Sequence, residues 1–297
     1  MKIIDPHFHL WDLARHAYPW LSTGPSTGVF GDNTAIRKTY LLPDFIAETK
    51  DFTVEKTVHV EAAITDRQSV QETAWLQDIA GNPFSKGLPN GIVGFCDLSA
   101  TDAHDVLDAH CTFRNMRGIR QILNTSDDAR LRFTETDYMA LDSWNAGFAG
   151  LAPRRLSFDL QIYPHQMADA AALAQRFPET QIVLNHTGMP HDHSAAGFAD
   201  WSRGMEALAG CANVVVKISG LGMMVHDWTV DAIRPYVTET IDIFGAHRCM
   251  FASNFPVDGM YSSFDTLWSA YRDIVAGRPA AEQDALFRTT AERVYRI

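Results

Sequence analysis

The sequence predicts an α/β fold, an eight-stranded parallel (β/α) TIM barrel, and three observations carry that prediction. Short β-branched runs recur along the chain, and segments of helical periodicity separate them. No linker, low-complexity tract or long charge run divides the 297 residues, so residues 1–297 read as a single domain. The first strand-to-helix turn, Pro6-His7-Phe8-His9-Leu10-Trp11, lacks the glycine-rich phosphate loop of a dinucleotide-binding sheet, which sets aside the competing doubly wound architecture.

Taken in order, the runs fall at residues 3–5, 56–60, 91–95, 117–123, 156–162, 181–184, 214–218 and 249–252. Residues 69–80 form a helix with Val70, Ala74, Leu76 and Ile79 on one side. A second, at 165–177, opens after Pro164, and a third, at 233–244, repeats Val237, Ile241 and Phe244. Right-handed crossovers then place helices outside and strands inside. Residues 23–34, rich in Gly, Ser and Thr, read as a long loop after the first strand, and such loops are usually functional. The tail, 280–297, reads as one amphipathic helix with Leu286, Val294 and Ile297 available for packing.

Composition narrows the function classes. A formal charge of −11 argues against nucleic acid or an anionic membrane as partner, since both demand a basic surface. No signal-peptide core or membrane span is visible, and the expected location is cytoplasmic. Cys96, Cys111, Cys211 and Cys249 are scattered, as suits reduced and mostly buried thiols. Trp201 and Trp228 are candidates either for a homo-oligomer interface or for outer-helix packing.

In a barrel, chemistry sits at the C-terminal ends of the strands. His7 and His9, spaced i, i+2, look the same way from the first strand, which is chelating geometry. The second strand gives His59, better read as a satisfied core histidine, and Glu61. The fourth gives Arg117 and Arg120, whose opposite parity lets only one point inward. Asp159, Gln161 and Tyr163 share a face of the fifth strand. His186 stands where the sixth apolar run stops, and there a functional reading leads. Lys217 shares a register with Ser219 in the seventh and needs a buried carboxylate such as Asp5 or Glu61. The eighth run ends Ser253-Asn254-Phe255-Pro256-Val257-Asp258. His191, Asp192 and His193 read as a solvated loop.

The motifs Asp5-Pro6-His7-Phe8-His9-Leu10-Trp11-Asp12, Tyr18-Pro19-Trp20, Val60-Glu61-Ala62, Arg117-Gly118-Ile119-Arg120, Asn185-His186-Thr187-Gly188-Met189-Pro190, Lys217-Ile218-Ser219-Gly220-Leu221 and Ser253-Asn254-Phe255-Pro256 occur in that order over almost the whole chain. Their combination resembles the amidohydrolase superfamily, in particular its branch of sugar-acid and dicarboxylate lactonases. The resemblance implies a distorted, amidohydrolase-type barrel that opens a lactone by adding water. It also implies a metal-ligand set at His7, His9 and His186 for one divalent ion, zinc or manganese, although metal independence is known in this branch. A two-metal site is not expected, because the fourth and fifth strands lack the further ligands.

Where the superfamily places a proton-accepting Asp, this chain has Asn254, and an amide is no base at neutral pH. Asp258, His186 and Glu61 are the alternatives for that role. The expected catalytic residues are therefore His186, Asn254 and Asp258, with His9, Glu61, Arg120 and Tyr163 binding a small-molecule lactone. Arg120 is the expected anchor for a substrate carboxylate or hydroxyls. A metal-dependent decarboxylase of an aromatic acid and a catalytically retired ligand-binding barrel are the rival readings.

Overall fold

In the computed structural model, which describes residues 2–22 and 28–297, eight parallel strands form one sheet in sequential order. They are β1 (Lys2–Phe8), β2 (Thr53–Val60), β3 (Gly91–Phe95), β4 (Met116–Ile122), β5 (Ser157–Gln161), β6 (Ile182–Leu184), β7 (Val214–Ile218) and β8 (Cys249–Phe251). Every predicted strand is present. Part of the predicted loop at 23–34, residues 23–27, lies outside the described residues.

Outer helices cover the barrel, among them Ser69–Gly81, Met167–Arg176, Ala195–Ala209, Val230–Phe244 and Phe264–Val275. Ser194, Thr229 and Ser263 cap three of them, each side-chain oxygen accepting from a backbone N–H in the first turn. Alternation sorts the strand residues. On β5, Phe158 and Leu160 pack outward in the large helix-facing cluster, while Asp159 faces the interior; on β7, Val214, Val216 and Ile218 pack outward and Lys217 faces in.

The barrel closes at the upper end of β1. Asn254 N donates to the His7 carbonyl and His9 N to the Phe255 carbonyl, both at 2.7 Å. Ser253 binds Asp5 through its N–H at 2.9 Å and its hydroxyl at 2.5 Å. This seam sets the segment after β8 directly beside the two first-strand histidines.

The tail departs from a single helix. Helical turns at Ala280–Asp284 and Thr290–Tyr295 flank a five-residue π segment, Ala285–Thr289. The wider turn changes which residues face the barrel: Leu286 joins the outer core, while Ala291, Val294 and Tyr295 join Ile4, Val58, Val93, Val183, Val215 and Met250 in a separate inner cluster. Trp201 is wholly buried, its indole N–H donating to the Thr187 carbonyl at 2.8 Å, so packing and not an interface explains it. All four cysteines are free and three of them, Cys96, Cys211 and Cys249, are buried, as expected; Cys111 is exposed. No described helix is long and apolar enough to cross a membrane.

Lys217 is fully buried, and its partner is neither Asp5 nor Glu61. Its ammonium donates to Asp159 Oδ2 at 2.6 Å, because the barrel register brings Asp159 opposite it. The Tyr295 hydroxyl reaches the same carboxylate at 2.9 Å, and Asn185 adds a bond at 3.2 Å. Lys217→Met, which strands a buried carboxylate, should lower unfolding free energy in urea by about 3–5 kcal/mol. Tyr295→Phe should cost about 1–3 kcal/mol by the same measurement.

Candidate active site

Three imidazoles meet at the upper end of the barrel. The ring centroids of His7 and His9 are 5.0 Å apart, and those of His7 and His186 are 4.6 Å apart. Burial holds all three well below the usual imidazole range. The positive charge of Lys217 adds to the effect on His7, and that of Arg120 to the effect on His9 and His186, so the rings are neutral near pH 7.

His9 and His186 line a cavity of about 110 Å³ together with Arg120, Gln161 and Asn254, under apolar walls of Trp20, Phe30, Phe133 and Met223. Backbone strain concentrates at its rim. Ala63, His186 and Asn254 all line it and all carry positive φ, at 53°, 54° and 58°. Each costs on the order of 1–3 kcal/mol, which the surrounding fold must supply. Phe30 is secured from outside: Tyr261 donates to its carbonyl at 2.8 Å, and His226 donates to the neighbouring Val29 carbonyl at 3.0 Å.

The hydrogen bonds of His9 constrain its protonation. Nδ1 lies 2.8 Å from the Val60 carbonyl, which can only accept, so Nδ1 carries a proton. A neutral ring then turns its Nε2 lone pair toward Asn254 Oδ1, 3.2 Å away, an acceptor facing an acceptor. Rotation of the Asn254 amide relieves this contact for the neutral ring, and a proton delivered to Nε2 relieves it in the orientation shown. Behind it, Asn254 Nδ2 lies 3.1 Å from Asp258 Oδ1, while Gly220 N donates to Oδ2 at 3.1 Å. Burial raises the Asp258 carboxyl to about 7 against the pull of those two donors.

The remaining expected site residues divide. Arg120 is in the cavity but already engaged, with Nε on Glu61 Oε1 at 2.5 Å, Nη2 on the Glu61 carbonyl and Nη1 on Gln161 Oε1 at 3.2 Å. Glu61 therefore serves Arg120 and stands clear of this cavity's lining; it also accepts from Ala63 N at 2.7 Å. Asp258 sits one residue behind the lining. Tyr163 points elsewhere, its hydroxyl donating to the Leu131 carbonyl at 2.7 Å beside His165 and His191; it lies beyond β5, where strand parity no longer applies. His59, as expected, is a core histidine, packed on Phe8 and bonded to the Leu10 carbonyl.

Fit to a metal ion turns on the ring nitrogens. His7 Nε2 is buried without a partner, which an ion would satisfy. Yet Lys217 Nζ lies 3.5 Å from His7 Nδ1, and an ammonium donating there leaves the ring proton on Nε2. His186 Nδ1 is 3.0 Å from Ser219 Oγ. Among the described residues no three His, Cys, Asp or Glu side chains are placed to hold an ion. As arranged, the residues do not fit a metal.

The sequence profile of the amidohydrolase family matches residues 4–297. The chain belongs to the amidohydrolase family. This amidohydrolase is 47% identical to protein y4mH of Sinorhizobium fredii, over 100% of this chain and 99% of that one. It is 28% identical to the L-fucono-1,5-lactonase of Burkholderia multivorans, over 99% and 96% of the two chains. A solved Burkholderia multivorans amidohydrolase superposes with a TM-score of 0.82 at 26% identity, with full coverage of both chains; one crystal form holds HEPES and another zinc. An amidohydrolase-type TIM barrel is thereby shown, as the sequence predicted.

Ser219 and the apolar walls Phe30, Phe133 and Met223 were not singled out as site residues from sequence. Gly220, at φ +65°, has the sharpest steric role of the site: a Cβ there would lie 2.5 Å from His186 Nδ1. Gly220→Ala should displace that ring and lower stability by at least about 1 kcal/mol. Gly277→Ala, with nothing within 4 Å of the added carbon, should leave the thermal melting curve in place.

Proposed function

We propose that this amidohydrolase opens the lactone of a sugar acid or related carboxylic acid. The observation that carries the reading is the chain His9–Asn254–Asp258, which ends on a strained, apolar-walled cavity shared with His186 and Arg120. Similarity to L-fucono-1,5-lactonases supports the choice of ester over amide.

In this mechanism water enters against the lactone carbonyl and gives its proton to His9 Nε2. The resulting imidazolium donates from both nitrogens, to the Val60 carbonyl and to Asn254 Oδ1, removing the acceptor–acceptor contact. Asn254 Nδ2 meanwhile faces ionised Asp258, so the negative charge stabilising His9 sits one amide away. A guanidinium fixed by Glu61 and Gln161 offers its remaining N–H groups to the oxyanion without reorganising. With Ser219 donating to Nδ1, His186 presents an Nε2–H to the same oxygen. Collapse of the tetrahedral adduct breaks the ring C–O bond, and the His9 proton passes to the departing oxygen. A hydroxy acid results.

Asn254 thereby turns from a missing base into a connector. Rotating its amide while one proton sits on Asp258 and none on His9 Nε2 gives a second fully bonded arrangement, equal in proton count to the first. The first is an imidazolium–carboxylate ion pair and the second is neutral throughout.

The test is a pH-indicator assay of the purified protein on aldonic, aldaric and dicarboxylic lactones, with and without prior chelation. Turnover that survives chelation supports side-chain catalysis; turnover lost on chelation and restored by zinc or manganese would assign His7, His9 and His186 to an ion. His9→Ala should lower kcat by about 100-fold or more. Because Asp258 is ionised above its pKa of about 7, kcat/KM should rise with pH through that value, and Asp258→Asn should flatten the limb. A wild-type profile level from pH 6 to 8 would remove Asp258 from the chain of proton transfer.

A further inference from the structure

We propose that the substrate is a lactone with no second carboxylate, its hydroxylated side reaching from the catalytic cavity into an adjoining acidic chamber. This rests on the lactone-opening reading and goes on to name its substrate class.

Recognition of a second carboxylate needs a cation beyond the guanidinium whose spare N–H groups serve the oxyanion, and no second Lys or Arg stands among the described lining residues. Arg120 is the one Lys or Arg among the described lining residues, and all three of its nitrogens are bonded to Glu61 or Gln161. The Arg120 and Glu61 side chains are only 5% and 1% exposed. Turning the guanidinium toward a ligand would strand Glu61 as a buried charge, which is strongly unfavourable. Residues 23–27, whose sequence is Thr-Gly-Pro-Ser-Thr, contain no basic residue either.

The catalytic cavity meets a second one along Ala63, Ile122 and Phe133. This chamber, about 320 Å³, is lined by Asp66, Asp97, Thr134 and Tyr138 besides the paired Glu61. Carboxylates and hydroxyls are acceptors and donors for sugar hydroxyls, while two unpaired negative charges repel an anion. Asp97 is itself anchored, accepting from Ser99 N at 2.9 Å and Gln121 Nε2 at 3.1 Å. Opening a neutral lactone also creates a carboxylate where there was none, so the same field favours departure of product over return of substrate.

A matched pair tests this: a neutral aldonolactone, and the aldaric lactone of the same ring and stereochemistry with a carboxylate at its far end. The expected kcat/KM ratio favours the neutral compound by about tenfold or more. Asp66→Lys, at an exposed position, and separately Thr134→Lys, should narrow that ratio by up to about fivefold, the size an exposed ion pair supports. Equal or better opening of the aldaric lactone, or a ratio unmoved in both variants, overturns the proposal and leaves the lactonase reading standing. Should neither lactone be opened, the lactonase reading fails. The corresponding lactams, compared by calorimetry, then decide the charge preference alone: equal or tighter binding of the carboxylated lactam overturns it, and selective binding of the neutral one upholds it.

Discussion

A buried ammonium sets the terms for the interior of this barrel. Lys217 has no exposed surface, and burial pulls its pKa down to about 8 while Asp159 pulls the other way. A charge in that position persists only with a hydrogen-bonded counter-charge. Asp159 supplies it, and Tyr295 and Asn185 take up its other bonds. The consequence is a continuous link from the helical tail, through Tyr295, Asp159 and Lys217, to His7 beside the candidate site. The π segment belongs to that link, since the helical turn that carries Tyr295 into the barrel follows it. Packing of the tail is thus tied to the placement of a first-strand histidine.

The seam between β1 and the segment after β8 sets which groups stand together at the candidate site. Two backbone bonds place His9 beside Asn254, and the Asp5–Ser253 pair locks the turn from below. Left-handed conformations at Asn254 and His186 aim side chains inward where a continuing strand would carry them past the cavity. Such strain is tolerated because the barrel over-determines it: His186 is confined by Gly220 on one side and bonded by Ser219 on the same loop.

Much of this was legible in the chain because strand-end position is a local property. His7, His9, His186 and Asn254 were found at the ends of apolar runs, and parity correctly allowed one arginine inward, Arg120, leaving Arg117 bonded to backbone carbonyls at Arg114 and Met116. Partners were less legible. Lys217 was expected on Asp5 or Glu61, but pairing across a barrel depends on the register of every intervening strand, which no local pattern encodes. Glu61 was visible as a polar strand end and invisible as the carboxylate that pairs with Arg120. Tyr163 failed for a different reason. Alternation was carried past Gln161, where the chain had already left the strand for the turn at Pro164–Gln166. Apolar walls such as Phe133 lie on long loops whose paths are set by tertiary contact.

Asn254 shows why a residue that removes a function by itself need not remove it from the site. A carboxylate at that position would lie against His9 at hydrogen-bond distance and would favour the cationic ring. The amide moves the negative charge back to Asp258, where Asn254 and Gly220 alone among the described residues bond to the carboxylate and burial keeps its pKa near neutrality. In the proposed mechanism His9 is neutral when substrate binds and charged once the proton has moved, with one amide adapting to both. Such an arrangement suits an ester whose ring already activates it toward water. What it requires is a base that is neutral at the start and stabilised as it gains charge, and the polar chain behind His9 is built from residues able to do both.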